Sequence, residues 1–350
     1  MSLRLRQIRY ILLLSLLSTL VLGAFLCPTP QHAGINQARK ALFLDLVDGS
    51  AHRPYVSRAL LPTLVRTTTA TTPIEFQQAC ADQVEQRPWL RTLFAILYWQ
   101  PLAGFPYLVA SVLMLLCFAG FGHFVTKLTI RVCGLPFTDR TRLALLTVAM
   151  LGLPPCFAYV SYVYDPPQLF LFTLALWLLA TDRRAAFVAA FAVCCLNKET
   201  AVLLIPLFVL VARNQPARMQ RIDWFTLAIL AAIFAGSWLV LTWSFRSNPG
   251  EPVEFHLTRN LWKLAYGWSF AALGVFLSLA WLIFRRWSEQ PLFLRQALVC
   301  TLLPLIPLTL LLGYLDEWRD YYEAYPAIFG LAVAGWMRVG TPLRGVCGRS

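Results

Sequence analysis

Apolar residues in this chain fall into long runs separated by short polar segments, and those runs set the architecture. Ten can be placed: 10–27, 104–126, 142–163, 167–181, 184–196, 200–212, 223–245, 266–284, 297–314 and 325–337. Most approach the ~20 residues a helix needs to cross a hydrocarbon core at 1.5 Å per residue. The pattern predicts an all-α, polytopic integral membrane protein forming one domain over 1–350, with about ten transmembrane or half-membrane helices. The first run contains no good small-x-small cleavage site at Gly23-Ala24-Phe25-Leu26-Cys27, so it reads as a retained helix and not as a signal peptide.

Between 28 and 100 the pattern changes. Leu42, Leu46, Leu60, Leu64 and Val65 recur at helical spacing among polar residues. Such amphipathic pieces lie in the membrane interface more readily than they span it. The segment predicts an amphipathic piece at 38–47, a second from Arg53, a Thr-rich turn at 67–72 and an approach helix from Pro88. A loop this long is usually folded and functional.

The stretch 184–212 is basic at both ends, with Arg183, Arg184 and Arg213. One spanning helix would invert everything after it, and two arms of about 12 residues are each too short to cross. A short hairpin resolves both problems, with Asn197-Lys198-Glu199-Thr200 at its tip. Broken helices at membrane depth are tolerated where they line a protein cavity.

Threaded this way, with both termini on the cytoplasmic side, the charges separate. The cytoplasmic side collects 18 Lys/Arg against 4 Asp/Glu, and the opposite side 12 against 13. Basic flanks are retained in the cytoplasm during insertion, so this asymmetry orients the chain. It also places almost every polar group capable of chemistry on the outer face. The net charge of +13 does not indicate a nucleic-acid partner, because the basic residues flank apolar runs and form no stripe. With 58% apolar and only 13% charged residues, a water-soluble fold is excluded as the ordinary reading.

Nine cysteines show no metal-ligand spacing, and no Gly-rich nucleotide fingerprint is present. No cofactor is required by these residues, and dependence on a divalent metal stays open. Cys27 and Cys80 flank or enter the first outer loop, where a disulfide would need an oxidising compartment.

Candidate chemistry sits in four outer segments. The first loop carries Asp45 and Asp48, three apart on one helical face, then His52, Arg53 and Arg58. Paired acids can supply a general base, and arginine forks suit phosphate; the plainer reading is a solvated helix end. Asp165, in Tyr164-Asp165-Pro166-Pro167, reads first as a helix cap and second as a cavity-facing carboxylate. Lys198 and Glu199 at the hairpin tip mark a functional cavity, or else pair with one another. The last loop groups Asp316, Glu317, Arg319, Asp320 and Glu323 with Trp318, Tyr321, Tyr322 and Tyr325. These aromatics serve equally as an interfacial belt or as a sugar-stacking surface.

Taken together, the early outer acids, Asp165 before a short helix, the Leu196-Asn197-Lys198-Glu199-Thr200…Pro206 hairpin and Glu317-Trp318-Arg319…Tyr325-Pro326 resemble the GT-C superfamily of polytopic membrane glycosyltransferases. The resemblance implies inverting transfer of a hexose or pentose from a polyprenyl-phosphate carrier to an extracytoplasmic glycan, lipid or protein. It implies a first-loop base, mapping onto Asp48 or Asp45, and a lipid phosphate held by Arg53, Arg58, Lys198 or Arg319. The chain departs from many relatives in having Asp-Leu-Val-Asp in place of adjacent acids, and no soluble C-terminal module is expected. The bacterial inner membrane, with the site facing outward, fits better than the endoplasmic reticulum. The competing readings are a transporter or flippase, a polymerase or ligase of lipid-linked polysaccharide, and an assembly factor without chemistry.

Overall fold

The computed structural model of the protein describes residues 3–28, 34–36, 38–157, 160–213, 224–251, 253–267, 270–315 and 317–337. Among these residues every regular element is helical. Four helices are long and apolar enough to cross a membrane: α1 (Leu3–Leu26), α6 (Gly104–Cys133), α11 (Trp224–Ser244) and α14 (Leu292–Leu312). Their outward faces stay apolar, as with Ile11, Leu12 and Leu16 on α1 and Trp238, Leu239 and Val240 on α11. Exposed apolar area on this scale needs lipid or protein against it.

α6 is the central post. Its 30 residues span about 45 Å and pack against α1, α7 (Asp139–Leu151), α8 (Asp165–Ala180) and α15 (Tyr325–Met337). It runs past the expected end at 126 because Lys127 and Arg131 continue the helix, and Gly134 closes it at φ +65°, a left-handed cap. Two cores flank it. One joins α1, α6 and α7 to the first loop, and the other joins α8, α9 (Arg184–Asn197), α10 (Leu204–Arg213), α14 and α15.

The first loop folds into α2 (Phe43–Asp48), α3 (Leu60–Thr71), α4 (Ile74–Gln86) and α5 (Pro88–Ile96). The Thr-rich turn expected at 67–72 is mostly the end of α3. The helix holds until Thr72, which Pro73 forces into an extended conformation at φ −90°, ψ 135°. Cys27 and Cys80 are both free thiols.

The largest difference from expectation is the run 142–163. α7 stops at Leu151, and Pro154 and Pro155, which lack N–H donors, start a 3-10 turn ending at Phe157. The apolar residues beyond are packed inside protein: Tyr162, Val163 and Tyr164 are all at most 5% exposed. The run 266–284 holds α13 (Phe270–Phe284), and a separate helix, α12 (Leu257–Tyr266), precedes it. Elsewhere the runs and helices coincide within about five residues, apart from α1, which begins at Leu3 and carries the basic residues Arg4, Arg6 and Arg9 ahead of the run. The expected cytoplasmic charges Arg218, Arg221, Asp223, Arg338, Arg344 and Arg349 lie outside the described residues.

The arms of the 184–212 segment do fold back on one another, since the rings of Phe187 on α9 and Phe208 on α10 stack at 6.0 Å. α13 and α15 meet closely at Gly335, where a Cβ would stand 2.1 Å from the Leu282 carbonyl oxygen. Gly335→Ala should therefore destabilise the protein by about 1–3 kcal/mol through forced separation of the two helices. A thermal melt in detergent checks this, and an unchanged midpoint would show that the contact relaxes freely.

Candidate active site

The site begins at the hairpin tip. α9 ends at Asn197, whose amide Nδ2 donates to the Tyr164 carbonyl and to Gln168 Oε1, each at 3.0 Å. Lys198 then takes an extended backbone, and a 3-10 turn (Glu199–Leu203) leads into α10. The Lys198 ammonium lies 3.1 Å from Glu323 Oε1. Gln168 Nε2 donates to that same oxygen at 3.1 Å, and the Thr200 hydroxyl donates to it as well. Lys198 is 6% exposed and Glu323 fully buried, so the tip is tied to the last loop by an ion pair out of water.

Lys198 and Glu199 therefore do not pair with one another. Glu199 faces Arg58, with 3.6 Å between Oε2 and the guanidinium Nε. Arg58 Nη1 donates to the Tyr164 hydroxyl at 2.7 Å, and its guanidinium lies 4.6 Å over the Tyr164 ring. Tyr55, Tyr162 and Tyr164 form a near-parallel array at centroid separations of 5.5 and 5.0 Å. The Arg319 guanidinium lies 4.4 Å over Tyr162. Desolvated cation–π contacts of this kind contribute about 2 kcal/mol and hold the cations in place.

Arg319 gathers three carboxylates. Nη2 bonds Glu317, and Nη1 stands 3.7 Å from Asp320 and 3.9 Å from Asp165. Asp165 is not the cap it was expected to be. Its Oδ2 accepts the N–H of Tyr162, three residues before it, and no side chain caps the start of α8. One cation cannot neutralise three neighbouring acids. Burial pushes Glu317 up to about 7, with Asp320 adding to the rise and Arg319 opposing it.

These groups face a cavity of ≈ 460 Å³. Its walls differ in character. Arg53, Arg58, Lys198, Glu199, Glu317 and Arg319 make the polar side, and Phe234, Trp238 and Leu241 of α11 face Leu305, Leu308 and Leu312 of α14 across the apolar side. Arg53 reaches it by docking on the loop after α11: its N–H and Nη2 donate to the carbonyls of Pro249 and Gly250, both at 2.8 Å. Gly250 permits that approach at φ +93°, since a Cβ there would meet the Arg53 oxygen at 2.7 Å. The Nε atoms of Arg53, Arg58 and Arg319 are buried with no hydrogen-bond partner, and no described carboxylate forms an ion pair with Arg53.

Of the candidates read from the sequence, the cavity thus brings together Arg53, Arg58, Lys198, Glu199, Glu317 and Arg319, with Asp165 behind Arg319. It does not include Asp45, Asp48 or His52. α2 closes on Gly49 at φ +78° with Asp48 exposed, and Arg66 crosses behind it to bond the Val47 carbonyl. The shared helical face of the two aspartates is real, but it is not turned to the cavity. Asp316 lies outside the described residues.

Sequence reasoning passed over Tyr55, Tyr162, Tyr164, Glu254 and His256. The last two line the cavity, with His256 Nε2 3.5 Å from Glu254 Oε2 and Lys40 paired with Oε1 of the same carboxylate. Their one signal was position in an outer loop. Among the described residues no three His, Cys, Asp or Glu side chains converge as metal ligands. Comparison of the chain with protein-family models, curated proteins and solved structures gives no match.

Proposed function

We propose that the protein is a membrane glycosyltransferase of the GT-C type, moving a sugar from a polyprenyl-phosphate carrier to an extracytoplasmic glycan, lipid or protein. The observation that carries this reading is the two-faced cavity, with arginines on one side and the apolar flanks of α11 and α14 on the other. A donor of this class has the same two faces: a phosphate at the junction of sugar and isoprenoid. Its head meets cations with unfilled donors while its tail lies against helices long enough to cross the bilayer.

The ten-crossing arrangement belongs to the same proposal. Segments threaded to the outer side, at 53–58, 198–200, 253–256, 313–314 and 317–320, contribute jointly to this cavity. Arg6, Arg9 and Arg140, threaded to the cytoplasmic side, line a different one. In the bacterial inner membrane this would set the site to the outside.

In the reaction, an acceptor hydroxyl attacks the anomeric carbon as the bond from that carbon to the phosphate oxygen breaks. The departing phosphate takes the electron pair, and Arg53 and Arg58 stabilise it. The acceptor's proton passes to a carboxylate. Asp48 and Asp45 give way here to Glu317, which lines the cavity and whose acidity burial brings near neutrality, where a general base works best. Direct attack inverts the anomeric centre.

The test is release of polyprenyl phosphate from a panel of polyprenyl-phosphate sugars, with envelope glycans as acceptors. Because the basic form of Glu317 is its deprotonated form, kcat/KM should rise with pH through about 7 and level above it. Glu317→Gln should remove that limb with most of the rate, while Asp45→Asn and Asp48→Asn stay within about twofold. Loss confined to an aspartate variant would return the base to the first loop. No release with any donor, from folded protein, would sink the transferase reading in favour of transport.

A further inference from the structure

A second cavity, of ≈ 250 Å³, lies between the N-terminal part of α1 and the start of α7 and is lined by Arg6, Arg9, Tyr10, Asp139, Arg140 and Arg142. Four arginines meet one aspartate there. Basic residues at helix ends are ordinary in membrane proteins, and by themselves they only orient the chain. Here they converge into a recess and one of them is fixed. The Arg142 guanidinium sits 4.2 Å over the Tyr10 ring and 4.9 Å over the Phe137 ring. Tyr10 is in turn held by its hydroxyl, 3.2 Å from His123 Nδ1 on α6.

The single acid does not neutralise the recess. Asp139 pairs with Arg6 at 3.2 Å, while Arg9 and Arg140 pair with no carboxylate among the described residues. α7 begins at this point, capped by Thr138, so its positive dipole end adds to the field. The outer flank of the recess is apolar: Leu5, Ile8, Ile11 and Leu12 of α1 are 42–64% exposed. A ligand that fits must carry a compact anion joined to hydrocarbon.

We propose that this cavity binds the phosphate of an anionic phospholipid, with Arg9 and Arg140 as its free cations, Arg142 as a fixed third, and the acyl chains along α1. The site is separate from the candidate active site and does not depend on its chemistry. A bound lipid there would join α1 to α7 beside the Arg6–Asp139 ion pair that links their ends.

The test uses the full chain in detergent, with phosphatidylglycerol or phosphatidylcholine added and bound lipid counted by native mass spectrometry. Phosphatidylglycerol should be held preferentially. Arg9→Ala/Arg140→Ala should weaken it about fivefold per arginine, about thirtyfold together, while Arg9→Lys/Arg140→Lys keeps most of the binding. Both residues are exposed, so folding should survive, and Arg91→Ala, an exposed arginine lining neither cavity, should leave lipid binding unchanged. Equal binding by wild type and the alanine double variant overturns the proposal, as does equal retention of the two lipids. Displacement of phosphatidylglycerol by millimolar inorganic phosphate would assign the recess to a free phosphate and overturn the lipid assignment.

Discussion

Replacing Lys198 with methionine should destabilise the protein by about 3–5 kcal/mol, the range for removing one partner of a buried ion pair. The penalty arises at Glu323, which is fully buried and already has Oε2 without a hydrogen-bond partner. Without the ammonium, its Oε1 keeps only Gln168 and Thr200 as donors, and the carboxylate must ionise in the interior or take up a proton. The expected reading is a fall of roughly 5–15 °C in the melting midpoint. Lys198→Met/Glu323→Gln should recover most of it, since a neutral amide fills the same space without a charge. A single variant as stable as the wild type would show that water reaches the pair. Recovery in the double variant would separate this structural role from phosphate binding, the role the sequence suggested for Lys198.

Arg58→Ala should reduce kcat/KM for polyprenyl-phosphate release by about 10²–10³-fold, in line with losses of about 3–4 kcal/mol for a desolvated cation facing an anion. Arg58 is a cavity cation held from three sides: a hydrogen bond to Tyr164, an ion pair with Glu199 and a ring beneath it. Its Nε carries no hydrogen bond. Arg58→Lys should recover little, because an ammonium cannot hold Tyr164 and present a planar fork at once. Tyr164→Phe leaves the cation in place without its anchor and should cost about tenfold. If Arg58→Ala turns over normally while folded, the phosphate does not sit on this wall.

Much of the fold was legible because charges bound the apolar runs, as Arg183 and Arg184 do before α9. The run 142–163 misled for a definite reason. Hydropathy registers removal from water and does not distinguish lipid from protein, so Tyr162 and Val163 looked like membrane helix. They belong instead, with Tyr164, to the loop that builds the tyrosine array. The site was legible as a set of polar residues but not as pairs. The only partner that spacing offered Lys198 was Glu199, the alternative to a functional cavity, whereas a side chain in the last loop takes the lysine. Spacing likewise put Asp45 and Asp48 on one helical face, but the direction of that face depends on how α2 packs against α3, which no local pattern encodes.

The rivet between the hairpin tip and the last loop also sets a schedule. Glu323 follows Thr200 by 123 residues. At about 5–20 residues per second, synthesis reaches it roughly 6–25 s after the tip has emerged. During that interval α9 and α10 are present but Lys198 lacks the carboxylate that will neutralise it, and the polar wall of the cavity is unfinished. Chains interrupted before the last loop carry a hairpin with an unmatched cation in a hydrophobic setting, a mark by which membrane quality control can distinguish a half-made protein from a finished one.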